Sequence, residues 1–259
     1  MQSSRRFHLF LTIVGSFFFF CRVEAQTFQA SFKNKIAADM PAVYWDFEAS
    51  PERLAPKVLG SDANPELTQV GNPNFDSGAL APEFPLMPEH HQALNLDGKS
   101  YIRFLDPGEN SVFDFDVGDA ITIEAWVSPT QMQGQYCYII GKGRTYLVGQ
   151  VKENHNWSLR LSKKGGGAAL SFMFRSVGEN NNYHRWESKQ SLVVGDGWHH
   201  IAVSYVFGDP KSMRGYIDGQ STQGVWEVGG ATTRGPMIST TPDLDDLGPA
   251  LRRGILETA

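Results

Sequence analysis

Along most of this chain apolar and polar residues alternate one by one, and the clearest case is Ala120 to Val127. There Ile121, Ile123, Ala125 and Val127 fall on one side and Thr122, Glu124 and Trp126 on the other, the period of a half-buried strand. The same reading predicts strands at Ala42 to Glu48, Leu67 to Val70, Ala93 to Leu96, Tyr101 to Phe104, Tyr138 to Ile140 and Tyr146 to Val151. It continues through Trp157 to Leu161, Ala169 to Phe174, Ser191 to Val194, Trp198 to Phe207, Gly215 to Ile217 and Ser221 to Trp226. Asp97-Gly98-Lys99-Ser100 and Asp218-Gly219 read as hairpin turns, the second as type I′ with positive φ at both central residues. No segment keeps a helical period, and turn signals recur at the spacing of an all-β sandwich or jelly roll.

Two regions break the pattern. Seven of the fourteen prolines (Pro51, Pro56, Pro65, Pro73, Pro82, Pro85, Pro88) fall within 49–92, and each removes a ladder donor. That stretch is expected to be a surface excursion with short strand pieces, outside any central sheet. After Val228 the chain runs through Gly229-Gly230, Pro236, Pro242 and Pro249, and 231–259 reads as an irregular tail.

The first 25 residues have the layout of a secretory signal: Arg5-Arg6, the apolar run Leu9 to Phe20, then Val23-Glu24-Ala25. The expected cut lies between Ala25 and Gln26. The apolar run falls short of the roughly 20 residues that cross a bilayer, and no other stretch could span one. A secreted, periplasmic or cell-surface protein is expected, with a linker over 26–41 and one domain over 42–230. Removing Arg5, Arg6, Arg22 and Glu24 takes the formal charge from −5 to −7 (23 − 3 basic, 28 − 1 acidic), with no basic cluster to track a phosphate backbone. Nucleic acid is therefore not an expected partner. Cys137 would remain as the one cysteine, and it reads as a small buried hydrophobe between Tyr136 and Tyr138.

Three motifs now occur in order: Ile121-Thr122-Ile123-Glu124-Ala125-Trp126-Val127, then Gly197-Trp198-His199-His200-Ile201-Ala202-Val203, then Tyr216-Ile217-Asp218-Gly219. Together with Tyr44-Trp45-Asp46-Phe47 and Leu94-Asn95-Leu96-Asp97-Gly98, they resemble the LamG-like jelly-roll domains of the concanavalin A-like superfamily, relatives of laminin G modules and pentraxins. The resemblance covers roughly Ala42 to Val228. It implies a two-sheet antiparallel jelly-roll sandwich, and says little of function, because that fold hosts lectins, adhesion modules and glycosidases. It also implies a closing strand that pairs beside the first. Nothing in the tail matches it, so the expectation is a sandwich lacking its last strand, in a chain truncated, frame-shifted or cut from a longer surface protein.

The chemistry points to binding. A glycosidase needs two carboxylates facing one cleft, and Glu124 has no second acid on its face of the strand. Asp114-Phe115-Asp116 has the spacing but sits in a turn with Gly118. The tandem His199-His200 alternates faces, so both cannot serve one ligand. Glu179 to Trp186 is the most unusual loop, and within it Asn181, Tyr183 and Trp186 are the candidate ligand-binding residues, suited to stacking on a sugar; an ordinary loop whose aromatics fold back is the other reading. Relatives often hold calcium between carboxylates and carbonyls. The candidates here are Asp243, Asp245 and Asp246, or Asp97 beside its turn, at spacings that fix no site. The reading is a non-catalytic module for a glycan or an extracellular protein, with a sandwich glycoside hydrolase or its accessory domain, and a purely structural fragment, as alternatives.

Overall fold

The computed structural model describes residues 36, 38–45, 47, 57–58, 67–80, 83–84, 87, 90, 92–105, 111–132, 134–143, 155–178, 182–237, 244–247 and 252–257. Two compact units divide the chain. One is Met1–Pro41 with Ala79–His91; the other is Ala42–Gly78 with Gln92–Ala259. The first unit contains short turns, with the Asp39 amide donating to the Ile36 carbonyl at 3.2 Å and the Met87 amide to the Phe84 carbonyl at 2.8 Å. The second unit is the sandwich.

Its strands are β1 (Val43–Tyr44), β2 (Lys57–Val58), β3 (Leu67–Val70), β4 (Asn74–Ser77), β5 (Gln92–Asp97) and β6 (Tyr101–Leu105). Then come β7 (Ala120–Pro129), β8 (Tyr136–Lys142), β9 (Trp157–Lys164), β10 (Gly167–Arg175), β11 (Tyr183–Leu192) and β12 (His199–Val206). The last are β13 (Asp209–Ile217), β14 (Gln220–Thr222), β15 (Gly224–Val228), β16 (Leu244–Leu247) and β17 (Arg252–Glu257). Among the described residues an eight-stranded sheet runs β15-β11-β10-β9-β8-β16-β6-β3 and a seven-stranded sheet runs β14-β13-β12-β7-β17-β5-β4. All their pairings are antiparallel. The expected all-β, two-sheet sandwich is what the chain forms. The short strands of the proline-rich region, β3 and β4, take the outermost place in each sheet, where a lost donor costs least.

Alternation builds the core as the pattern predicts. Ile121, Ala125 and Val127 of β7 and Ile201, Val203 and Tyr205 of β12 point inward from the seven-stranded sheet. Trp157, Leu159 and Leu161 of β9 and Ala168, Leu170, Phe172 and Phe174 of β10 meet them from the other. The Phe172 and Phe174 rings lie 5.8 and 5.5 Å from the Tyr205 ring, and Phe207 stands edge-on to Phe174 at 5.3 Å. Full burial of each such side chain contributes about 1.5–3 kcal/mol. Burial also pushes the Tyr205 phenol up to about 12. Cys137 is 1% exposed, its sulfur 3.5 Å from that of Met132.

One end of the core is closed by 111–119, a run of turns rather than a strand. The Ser111 amide donates to the Asp114 carboxylate and the Asp116 amide to Asp119. Phe113 is buried, and its carbonyl accepts from the Trp157 indole at 3.0 Å. Asp114 meets Lys142 at 2.5 Å, with side-chain exposures of 7% and 1%. A charge so deeply placed persists because an opposite charge is in contact with it.

Of the two anticipated hairpins one forms; the Asp97 to Ser100 turn is made, but it carries the chain from β5 in one sheet to β6 in the other, so the strands beside it do not pair. Asp218 and Gly219 take φ of 51° and 74°, the type I′ combination. Asp218 also clasps the start of β12: its carboxylate accepts from the His200 amide at 2.9 Å and lies 2.7 Å from His199 Nδ1. Asp196 reaches His199 Nε2 at 2.8 Å. Partial burial of the ring works against its charge, yet the hydrogen bonds to Asp218 and Asp196 outweigh it and raise the imidazole above its ordinary value.

Three further expectations are corrected. The tail is not irregular throughout, and the sandwich does not lack a last strand. β17 enters between β7 and β5, with Leu256 opposite both Val127 and Leu94, and β16 lies between β8 and β6. Pro242 and Pro249 fall outside these strands rather than within them, and Gly254 stands at a register shift where a bulge accommodates it. A strand flanked on both sides takes its stability from backbone ladders, so a polar sequence did not disqualify it. Finally, the strand expected over Ala42 to Glu48 is only β1, and its partner is β2; Phe47 at φ 49° ends the extended run, while Trp45 and Phe47 drop into the core.

Three outcomes follow from this architecture. Asp114→Asn removes the carboxylate in contact with the buried Lys142 ammonium and is expected to cost about 3 kcal/mol in urea unfolding. Gly224 lies under Trp186, where an added Cβ would stand 2.2 Å from the indole; Gly224→Ala should cost about 1–3 kcal/mol by overpacking in the same measurement. The His199 clasp, whose pKa rises on folding, contributes fully below the ordinary value of 6.5 and is lost as pH rises through the raised one. The melting temperature should therefore fall from about pH 6 to about pH 8, and His199→Asn should flatten that slope.

Candidate functional site

The residues of the eight-stranded sheet that do not face the core are far from an ordinary solvent face. Because side chains alternate, Ser158, Arg160 and Ser162 of β9 and Ala169, Ser171, Met173 and Arg175 of β10 point away from the core residues between them. Pairing sets them in rows: Tyr138, Arg160, Ser171 and Glu187 stand side by side across β8, β9, β10 and β11. Met173 is paired with Arg185, and Arg175 with Tyr183.

These residues form two layers. The floor is buried: Arg160 is 2% exposed, and Ser158, Ser162, Ser171, Met173 and Glu187 are buried with it. Above it Tyr136, Tyr138, Tyr183, Arg175 and Arg185 are half-buried. The Arg160 guanidinium lies 4.2 Å from the Tyr136 ring centroid and 5.3 Å from that of Tyr138. It donates to the Tyr138 hydroxyl at 3.3 Å and to Ser171 Oγ at 3.0 Å. Arg185 donates to the Tyr136 hydroxyl and lies 3.3 Å from Glu227. Arg175 stands over the Tyr183 ring at 5.6 Å, and His155, whose Nε2 is 3.1 Å from Ser158 Oγ, packs edgewise between Tyr138 and Tyr183. A guanidinium on a π-face holds the ring in a fixed orientation. The result is a set of oriented aromatic rings interspersed with N–H donors.

The anticipated site residues are dispersed. Tyr183 opens β11 at the margin of this face, while Asn181 lies outside the described residues. Trp186 is corrected: it is 4% exposed and belongs to the core, its indole close against Gly215 and Gly224. Tyr183 and Trp186 differ by an odd number of positions on one strand, so they take opposite faces. The neighbouring Asn182 is structural, donating to the Ser176 carbonyl at 3.0 Å and to that of Gly178.

Among the acids considered for calcium, Asp243 lies outside the described residues, as do Ala25 and Gln26. Asp245 and Asp246 fall in β16, opposite Phe104 and Arg103. Asp97 accepts from the Lys99 amide at 2.8 Å and the Ser100 amide at 2.7 Å, and these bonds lower its pKa. That carboxylate is occupied with its own turn. Among the described residues no group of three His, Cys, Asp or Glu is placed to hold a metal ion.

Glu124 and His199-His200 resolve as architecture. Glu124 lies on the outer side of the seven-stranded sheet, 3.4 Å from His200, whose ring packs on Trp126 at 5.3 Å. Sequence reading missed Tyr136, Tyr138, Arg160, Arg175 and Arg185. Their signal was the alternation itself: in Trp157-Ser158-Leu159-Arg160-Leu161-Ser162 the polar set is as regular as the apolar one.

A family model for the concanavalin A-like lectin/glucanase superfamily matches residues 96–241. No curated protein matches the chain closely enough to be counted a relative. Among solved structures the chain is similar to the carbohydrate esterase vb_24B_21 from the Shiga toxin-encoding bacteriophage phi24B, at 12% identity and a TM-score of 0.39, over 73% of this chain and 86% of that one. It is also similar to the carbohydrate recognition domain of Emp47p, at 12% identity and a TM-score of 0.34, over 77% and 91%. Likeness at this level carries no argument about ligand or chemistry. The family match spans more than half of the sequence and takes in the strands that carry the arginine–tyrosine face: the chain belongs to the concanavalin A-like lectin/glucanase superfamily.

Proposed function

We propose that this chain is an exported, non-catalytic module that binds carbohydrate on the outer face of its eight-stranded sheet. The observation that carries the reading is the row of tyrosines held by guanidiniums: Tyr136 and Tyr138 over Arg160, and Tyr183 under Arg175. Pyranose rings present C–H faces that pack on aromatic rings and hydroxyls that pair with oriented donors, and this face offers both on a rigid sheet. Its rigidity matters, because a ring already fixed loses little entropy when a ligand arrives. Export rests on the signal layout of residues 1–25 and completes the reading as a secreted or surface-held binding module.

The superfamily name covers glucanases as well as lectins, so hydrolysis is the rival reading. Among the acids whose side chains are described on this face, Glu187 is buried at 6% exposure in the floor and Glu227 is engaged with Arg185, while Asp245 and Asp246 of β16 lie in the same sheet. A retaining or inverting pair would need both carboxylates open to one glycosidic bond. Glycan-array binding should detect carbohydrate ligands, and Tyr138→Ala should weaken them roughly 3- to 10-fold, the value of one aromatic contact. Trp186→Ala should instead lower the melting temperature. Turnover of a bound glycan that disappears in Glu187→Gln or Glu124→Gln would overturn the non-catalytic reading.

A further inference from the structure

Within this carbohydrate-binding reading, on which the following rests, we infer that the face selects acidic glycans, with a carboxylate or sulfate of the sugar seated at Arg185 and Tyr136. Arg185 is half-buried and its one ionic contact among the described residues is with Glu227 at 3.3 Å, side-chain exposures being 20% and 33%. An ion pair of that length and exposure is weak and readily exchanged. Glu227 therefore stands where a ligand oxyanion would bind, as a placeholder from the same chain. The planar guanidinium is suited to accept a carboxylate or sulfate ester in its stead.

Tyr136 strengthens the case. Its hydroxyl oxygen already accepts a hydrogen bond from Arg185 Nη1. A phenol whose oxygen is engaged as acceptor turns its proton away, so it offers a donor. The Arg160 guanidinium beneath its ring, at 4.2 Å, adds positive potential to the same spot. Arg185 and Tyr136 thus present N–H and O–H donors side by side. Neutral sugar hydroxyls can be read by donors or acceptors alike, whereas a cluster of donors favours a group that only accepts. An oxyanion on the sugar meets that requirement.

The test is titration calorimetry of the full chain against three ligands: a uronic-acid oligosaccharide, its carboxyl-reduced counterpart, and a sulfated oligosaccharide on a neutral backbone. At least one acidic ligand should bind ten-fold or more tightly than the carboxyl-reduced one, with an advantage that shrinks as salt is raised. Which acidic arm binds identifies the oxyanion. Arg185→Gln should remove the advantage. Glu227→Gln, which relieves the competition, should tighten acidic-ligand binding several-fold, a gain that simple destabilisation cannot produce. Equal binding of the neutral and acidic ligands, or weaker acidic binding in Glu227→Gln, overturns the selectivity and leaves carbohydrate binding standing. Failure of every glycan, on the array and here, overturns both.

Discussion

The packing of Phe172 and Phe174 from one sheet against Tyr205 and the adjoining Phe207 from the other holds the two sheets together, and it fixes which way every neighbouring side chain points. A strand has only two faces. Once the even-numbered residues of β10 are committed to the core, Ser171, Met173 and Arg175 have no choice but to face outward. The arginine–tyrosine surface is therefore a by-product of core registry, and a slip of one residue would bury the guanidiniums among phenylalanines. Trp186 shows the same constraint, since its place between Gly215 and Gly224 is what puts Arg185 and Glu187 on the outside.

How much of this could be read in the sequence follows from the range of the forces involved. Turn chemistry and alternation are local, so Asp218-Gly219, the inward set of β7 and the marginal place of the proline-rich strands were legible. The site was less so, because it is assembled by register across four strands, β8 to β11. Tyr136 and Arg185 are 49 residues apart and meet only through three intervening pairings. Aromatic and amide content in 179–186 marked a plausible loop, yet composition alone could not tell that Trp186 turns inward while Tyr183 turns outward. The tail, expected to be irregular, misled in a similar way, since strand membership there depends on neighbours rather than on the residues themselves.

The placement of β16 and β17 bears on how the molecule is put together. β16 separates β6 from β8, and β17 separates β5 from β7. Without them, β3 to β6 share no ladder with the strands that follow, and each sheet is split at the same point in the chain. Residues 67–105 thus wait for 244–257 before joining the body formed by β7 to β15. Such late, long-range closure is slow and leaves unpaired strand edges exposed in the meantime. During synthesis from the N-terminus both sheets therefore stay open along one seam until residues 244–257 emerge to close it.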